Sequence, residues 1–162
     1  MLVQDMTTMH FLHPGDVTVA FSGDRLETLL GSCVSVLLVS PCFQVACMCH
    51  FVYSSYPSKI KSKDASYAGV AMARMEHLLR NAGFSARLCR AYVFGGGNMF
   101  PSNGNLVDIG SKNVEWAFNY LQHKQIPVVD FETGQNYYRK LTWVVGASNP
   151  CDHLLTVSVL SS

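Results

Sequence analysis

Charge is what this sequence has least of. Only 14% of its 162 residues are charged, against about 25% in ordinary soluble domains, and the formal net charge is +1. No block or stripe of Lys and Arg stands out, so charge-driven binding to nucleic acid or to a membrane surface has little support. Long hydrophobic runs are missing too. Val34 to Val39 is the longest near the middle, far short of the ~20 residues a bilayer-spanning helix needs, so no membrane insertion is expected. Met1 to Phe11 carries Gln4, Asp5 and His10 and lacks the apolar centre of a secretory signal. A cytoplasmic protein is expected. There is no Gly-x-Ser-x-Gly elbow, so serine hydrolase chemistry has no foothold. Gly95-Gly96-Gly97-Asn98 lacks the following Lys-Ser/Thr of a phosphate-binding loop.

What is present is apolar mass. Hydrophobic residues make up 49% of the chain. A single domain over residues 1–162 should bury roughly 70% of its unfolded surface, enough for a core without staples. The six cysteines, Cys33, Cys42, Cys47, Cys49, Cys89 and Cys151, are therefore expected as free thiols in a reducing compartment.

Turn signals divide the chain. His13-Pro14-Gly15-Asp16 precedes a strand over Val17 to Phe21, and Ser22-Gly23-Asp24 reverses into Arg25 to Leu30. Val34 to Val39 and Phe43 to Tyr53 read as further strands, the second buried on both faces for part of its length because alternation is weak. Ser54 to Lys63 reads as a polar surface loop. Asp64 is placed to cap a helix over Ala65 to Ala82 that stops at Gly83, with Ala68, Met72, Met75 and Leu79 as its apolar stripe. A strand over Arg87 to Phe94 follows. Ser111 opens a second helix, Lys112 to Lys124, whose stripe is Val114, Ala117, Phe118 and Leu121, with His123 in its last turn. Ile126 to Phe131, Tyr138 to Val145 and Leu154 to Leu160 close the chain as strands. Many strands and two amphipathic helices imply an α+β fold: a layered mixed β-sheet or β-sandwich core with both helices packed against it.

The chemistry centres on Cys33, in Thr28-Leu29-Leu30-Gly31-Ser32-Cys33-Val34, and on His50, which follows Cys49 at the end of a second apolar run. A thiol near pH 7 is only a few per cent thiolate and needs a base, which an imidazole supplies. Gly31 permits a sharp backbone path that lifts Cys33 out of the sheet, and the N–H groups from Ser32 to Val34 are candidate oxyanion donors. Alone, Cys33 reads as a small buried hydrophobe and His50 as a hydrogen-bonded core histidine; it is the pairing that points to a thiol hydrolase acting on an amide. Zinc held by Cys42, Cys47, Cys49 and His50 fits poorly, because one-residue spacing within a strand puts Cys47 and Cys49 on one face and His50 on the other. The triple glycine reads as a flexible wall beside a bound backbone, or as a plain wide turn.

Thr28 to Val34, Cys49-His50-Phe51, Tyr67-Ala68, Gly95-Gly96-Gly97-Asn98-Met99-Phe100, Ile109-Gly110-Ser111-Lys112-Asn113-Val114, Thr133-Gly134 and Arg139, in that order, resemble the CheD family of chemoreceptor glutamine deamidases. The resemblance covers most of the chain. It implies hydrolysis of glutamine side-chain amides on chemoreceptor cytoplasmic helices, releasing ammonia, with no metal or organic cofactor. Carried over, Cys33 is the nucleophile, His50 the base, and a threonine shortly before the cysteine orients the histidine. Thr28 is the candidate for that third place, and Glu27 stands one residue away, a slip that would reverse the strand face. Ser32, Gly96 and Asn98 are the candidates for holding substrate. The stretch after His50 lacks the usual Leu-Pro step, and Gly134-Gln135 replaces a Gly-Gly pair; both bear on substrate choice. An adaptor that binds a receptor helix or a CheC-like phosphatase without turnover is the alternative within the same resemblance.

Overall fold

The computed structural model describes residues 7–55, 63–101 and 108–159. Most of the expected Ser54 to Lys63 loop, together with Leu160, lies outside them. Among the described residues there are nine strands and two α-helices: β1 (Met9–Leu12), β2 (Val17–Phe21), β3 (Arg25–Leu30), β4 (Val34–Val39), β5 (Val45–Cys49), α1 (Ala68–Asn81), β6 (Arg90–Gly95), α2 (Ile109–His123), β7 (Val128–Thr133), β8 (Tyr137–Val144) and β9 (Leu154–Ser158). They form two mixed sheets, ordered β1-β3-β8-β9 and β2-β5-β4-β6-β7. The β1–β3 and β6–β7 pairs are parallel and the others antiparallel. The α+β expectation holds, with both helices on the outer face of the five-stranded sheet.

Three layers explain the pattern of the apolar runs. The five-stranded sheet is covered on one side by the helices and on the other by the four-stranded sheet, so β4 and β5 are buried at every position. Alternation still exists there, hidden by burial on both faces. Val34, Val36, Leu38, Cys47 and Cys49 face the helices; Leu37, Val39, Ala46 and Met48 face the other sheet. From the four-stranded sheet, Leu26 and Leu30 of β3 and Leu141 and Trp143 of β8 meet them.

Several boundaries differ from those expected, each for a local reason. The parallel strand β1 was not foreseen; it pairs Leu12 with Thr28, a non-local partnership without a turn signal. The Phe43 to Tyr53 strand shrinks to β5, because Phe43 turns at φ 59° with its N–H on the Ser40 carbonyl. Asp64 does not cap α1. It accepts from Ser66 N and Ser66 Oγ, and α1 starts later, with Tyr67 at its N-cap. Likewise the cap of α2 is Asp108, which accepts from Ser111 N and Ser111 Oγ, so Ser111 lies inside the first turn. Residues Ala86–Leu88 form a short 3-10 turn before β6, and β7 begins and ends two residues later than expected. The α1 stripe is buried as expected, and Gly83 follows the helix at φ 89°.

Candidate active site

The chain changes sheets at Gly31-Ser32-Cys33, between β3 in one sheet and β4 in the other. Three hydrogen bonds hold this crossover: Gly97 N–H to Gly31 O at 2.9 Å, Gly96 N–H to Cys33 O at 2.8 Å, and the Asn113 Nδ2 amide to Ser32 O at 3.0 Å. Gly31 is not in the left-handed region. It does bend the chain, and its lack of a side chain also gives room, since a Cβ there would lie 3.0 Å from Met99 Sδ. His50 follows β5 directly. Val34 and Phe51 exchange both backbone hydrogen bonds, at 3.1 and 2.9 Å, and their side chains lie in the helix-side core. Cys33 and His50, one residue before each, therefore lie together on the opposite face, as a diagonal cross-strand pair.

Thr28 comes to them from the other sheet. Its Oγ1 lies 2.8 Å from His50 Nδ1 and 2.8 Å from the Leu12 carbonyl. A carbonyl only accepts, so the Thr28 hydroxyl donates to Leu12 and must accept from Nδ1–H. That selects the tautomer with a lone pair on Nε2, the nitrogen a general base uses. His50 is buried, and its Nε2 has no partner among the described residues. Glu27 cannot take this place. It faces away from His50, beside Arg25 at 3.9 Å, while Leu26, Thr28 and Leu30 point inward. Of the two candidates, Thr28 is the one within hydrogen-bond reach of His50.

Burial sets the resting protonation. Desolvation lowers the His50 pKa, opposed by the Leu12 backbone and Asp16, so the imidazole rests neutral. Desolvation raises the Cys33 pKa above its ordinary value, opposed by its own backbone N–H, so the sulfur rests as thiol. The thiol and Nε2 are not hydrogen bonded at rest. The site is a neutral pair rather than a preformed ion pair.

Of the expected oxyanion donors, Val34 N–H is committed to the Phe51 carbonyl. The N–H groups of Ser32 and Cys33 make no hydrogen bond to another of the described residues. The glycine loop is not a flexible wall. Gly95, Gly96 and Gly97 are buried, and a Cβ on Gly96 would meet Val114 Cγ2 at 2.2 Å, while one on Gly95 would meet Cys33 O at 2.3 Å. The loop is a close-packed clasp on the crossover. Asn98 donates its N–H to Gln135 O at 2.7 Å and accepts from Phe100 N–H at 3.1 Å, shaping its own turn. Ser32 stays half-buried beside Cys33. Cys47 and Cys49 face the helices, with Cys49 pushed up to about 12 by burial, and His50 faces the other way.

Two residues escaped the reading of the sequence as parts of this site. Asn113, fully buried, also donates Nδ2 to Val52 O at 2.9 Å, and so ties the crossover to the strand end carrying His50. Arg139, 2% exposed, donates to Gly134 O at 2.8 Å and to Gly95 O at 3.4 Å. The available signal was a polar residue at a buried period: Asn113 precedes Ala117 and Leu121 at helical spacing, and Arg139 precedes Leu141 and Trp143 at strand spacing.

Residues 54–148 match the family description "CheD chemotactic sensory transduction". This chain belongs to the CheD family. It is 37% identical over 126 residues to the probable chemoreceptor glutamine deamidase CheD 2 of Albidiferax ferrireducens, covering 74% of this chain and 71% of that protein. It is 34% identical to the probable chemoreceptor glutamine deamidase CheD of Pseudomonas fluorescens and 32% identical to CheD 1 of Anaeromyxobacter dehalogenans, each alignment covering 83% of this chain and 78% of the relative. A span of 83% leaves too few residues outside it to miss Cys33 or His50. The alignments of this CheD member with those two relatives therefore reach beyond the segment that carries the family description.

Proposed function

We propose that this CheD protein is a thiol-dependent protein-glutamine deamidase acting on chemoreceptor cytoplasmic helices. The observation that carries the reading is the Thr28–His50 bond at 2.8 Å, which leaves a bare Nε2 on the face that also holds Cys33. His50 Nε2 takes the thiol proton, and the sulfur attacks the carboxamide carbon of glutamine. The oxygen gains the electron pair of the carbonyl and is held by the Cys33 and Ser32 N–H groups. Collapse breaks the C–N bond, and protonated His50 supplies the proton that leaves with ammonia. Water, deprotonated by His50, then cleaves the thioester, giving glutamate and the free thiol. The relatives' names support the substrate class. A groove of about 500 Å³ lined by Leu29, Gly31, Tyr138, Lys140, Leu155 and Val157 adjoins the crossover and suits the apolar face of a helix.

One observation favours a second reading, an adaptor that binds a receptor or a CheC-like phosphatase: the thiol is raised in pKa and unbonded to Nε2. Peptide mass spectrometry of receptor cytoplasmic domains separates the two. A gain of about one dalton per modified glutamine with wild type, absent with Cys33→Ala, is expected for thiol chemistry. Tight binding without any mass shift would leave the adaptor.

A further inference from the structure

We propose that Asn113 is a positioning residue for the oxyanion site, turning the Ser32–Cys33 peptide so that the Cys33 N–H faces the reacting carbonyl. The inference rests on the deamidase reading above and adds a residue to its machinery. In a trans peptide the C=O and N–H point in opposite directions. Asn113 Nδ2 holds the Ser32 carbonyl at 3.0 Å, so the N–H of the same peptide, that of Cys33, must point away from α2. Gly97 N–H holds the Gly31 carbonyl at 2.9 Å, which turns the Ser32 N–H in the same manner. Neither N–H makes a hydrogen bond to another of the described residues. The Cys33 N–H belongs to the residue whose sulfur would attack.

The amide of Asn113 is committed to this task. Its two donations, to Ser32 O and Val52 O, join the strand ends that carry Cys33 and His50, and its Oδ1 has no partner among the described residues. The helix bearing it is seated tightly, since a Cβ on Gly110 would lie 2.4 Å from Gly96 O. Without the amide, the Ser32–Cys33 peptide is free to rotate and present a carbonyl where a donor is needed. The Gly96 N–H to Cys33 O bond, the Val34–Phe51 backbone pair and the Thr28 hydroxyl would still hold the thiol and the imidazole in their places.

Asn113→Ala and Asn113→Asp test this against an alkylation that needs no oxyanion. Both remove the donation, and aspartate keeps the volume. The expected result is a fall of about a hundredfold in kcat for glutamine hydrolysis with KM retained. The rate and pH profile of Cys33 alkylation by iodoacetamide should stay as in wild type. Full turnover in a folded variant, or alkylation falling in step with turnover, overturns the proposal. If neither variant folds, wild type alkylated by a glutamine-derived chloromethyl ketone peptide decides by crystallography. The ketone oxygen on Cys33 N–H, with Asn113 on Ser32 O, supports it, and an oxygen held elsewhere overturns it. Wild type without turnover on any receptor would sink the deamidase reading itself, and this role with it.

Discussion

The two sheets supply the site unequally. The five-stranded sheet, buried on both faces, carries His50 at the end of β5 and leads the chain away from Cys33 into β4. The four-stranded sheet is buried on one face only, and its strands alternate openly, as in the buried–exposed pattern of β3 and β8. It contributes Thr28 inward and leaves Leu29, Tyr138, Leu155 and Val157 exposed outward. The reactive pair is thus seated where packing is continuous, and the residue that sets its tautomer comes from a sheet whose other face is open to a partner. On the deamidase reading proposed above, catalysis and receptor recognition would sit on opposite sides of one layer.

The largest effect tests the inner side. Cys33→Ala and His50→Ala should each lower kcat by about a thousandfold or more, with folding retained by circular dichroism; residual turnover in Cys33→Ala would end thiol catalysis. Next comes the bond between the sheets. Thr28→Val should cost about a hundredfold in kcat because Nδ1–H loses its acceptor, Thr28→Ser should recover most of it, and Glu27→Ala should change little. An equal loss from Glu27→Ala would mean the registers were misassigned. The outer side should respond differently. Leu37→Ala, in the layer between the sheets, is expected to cost about 2–5 kcal/mol in urea unfolding. Leu155→Ala, on the open face, should stay within about 0.5 kcal/mol and raise KM for a receptor domain instead.

The smallest effect is in pH. Burial holds the His50 pKa below its ordinary 6.5, and the neutral base persists to that lower value. The acid limb of kcat/KM should therefore fall below pH 6.5, and a midpoint above 6.5 would contradict a desolvated base. For stability the sign follows from linkage. Between the lowered folded pKa and 6.5 the unfolded chain binds more protons, so stability drops as pH falls through that window. His50→Gln should flatten the drop, read as Tm against pH.

The fold class, both helices and most strands were legible because burial periodicity is written locally: Ala68, Met72, Met75 and Leu79 declare a helix face wherever the helix is placed. Helix starts were less legible. Asp64 and Asp108 are both plausible caps, and only the backbone decides that one caps a helix and the other forms a turn with Ser66. Cys33 and His50 were readable as candidates because each lies at the edge of an apolar run, the thiol after Gly31-Ser32 and the imidazole after Cys49. Asn113 and Arg139 were not, since a polar residue in a buried stripe says that it has partners without saying which.

By itself the sequence determined the chemistry on offer, one thiol beside Gly31-Ser32 and one imidazole after β5, in a chain with few charged residues. Tertiary structure decided the rest. It put Thr28 rather than Glu27 beside His50, because strand direction allows only every second side chain to cross the layer, and β1 supplies Leu12 O to fix the hydroxyl. It also turned the triple glycine from an apparent flexible wall into a clasp on the Cys33 backbone. Both outcomes depend on contacts between residues far apart in the chain, which no local pattern encodes.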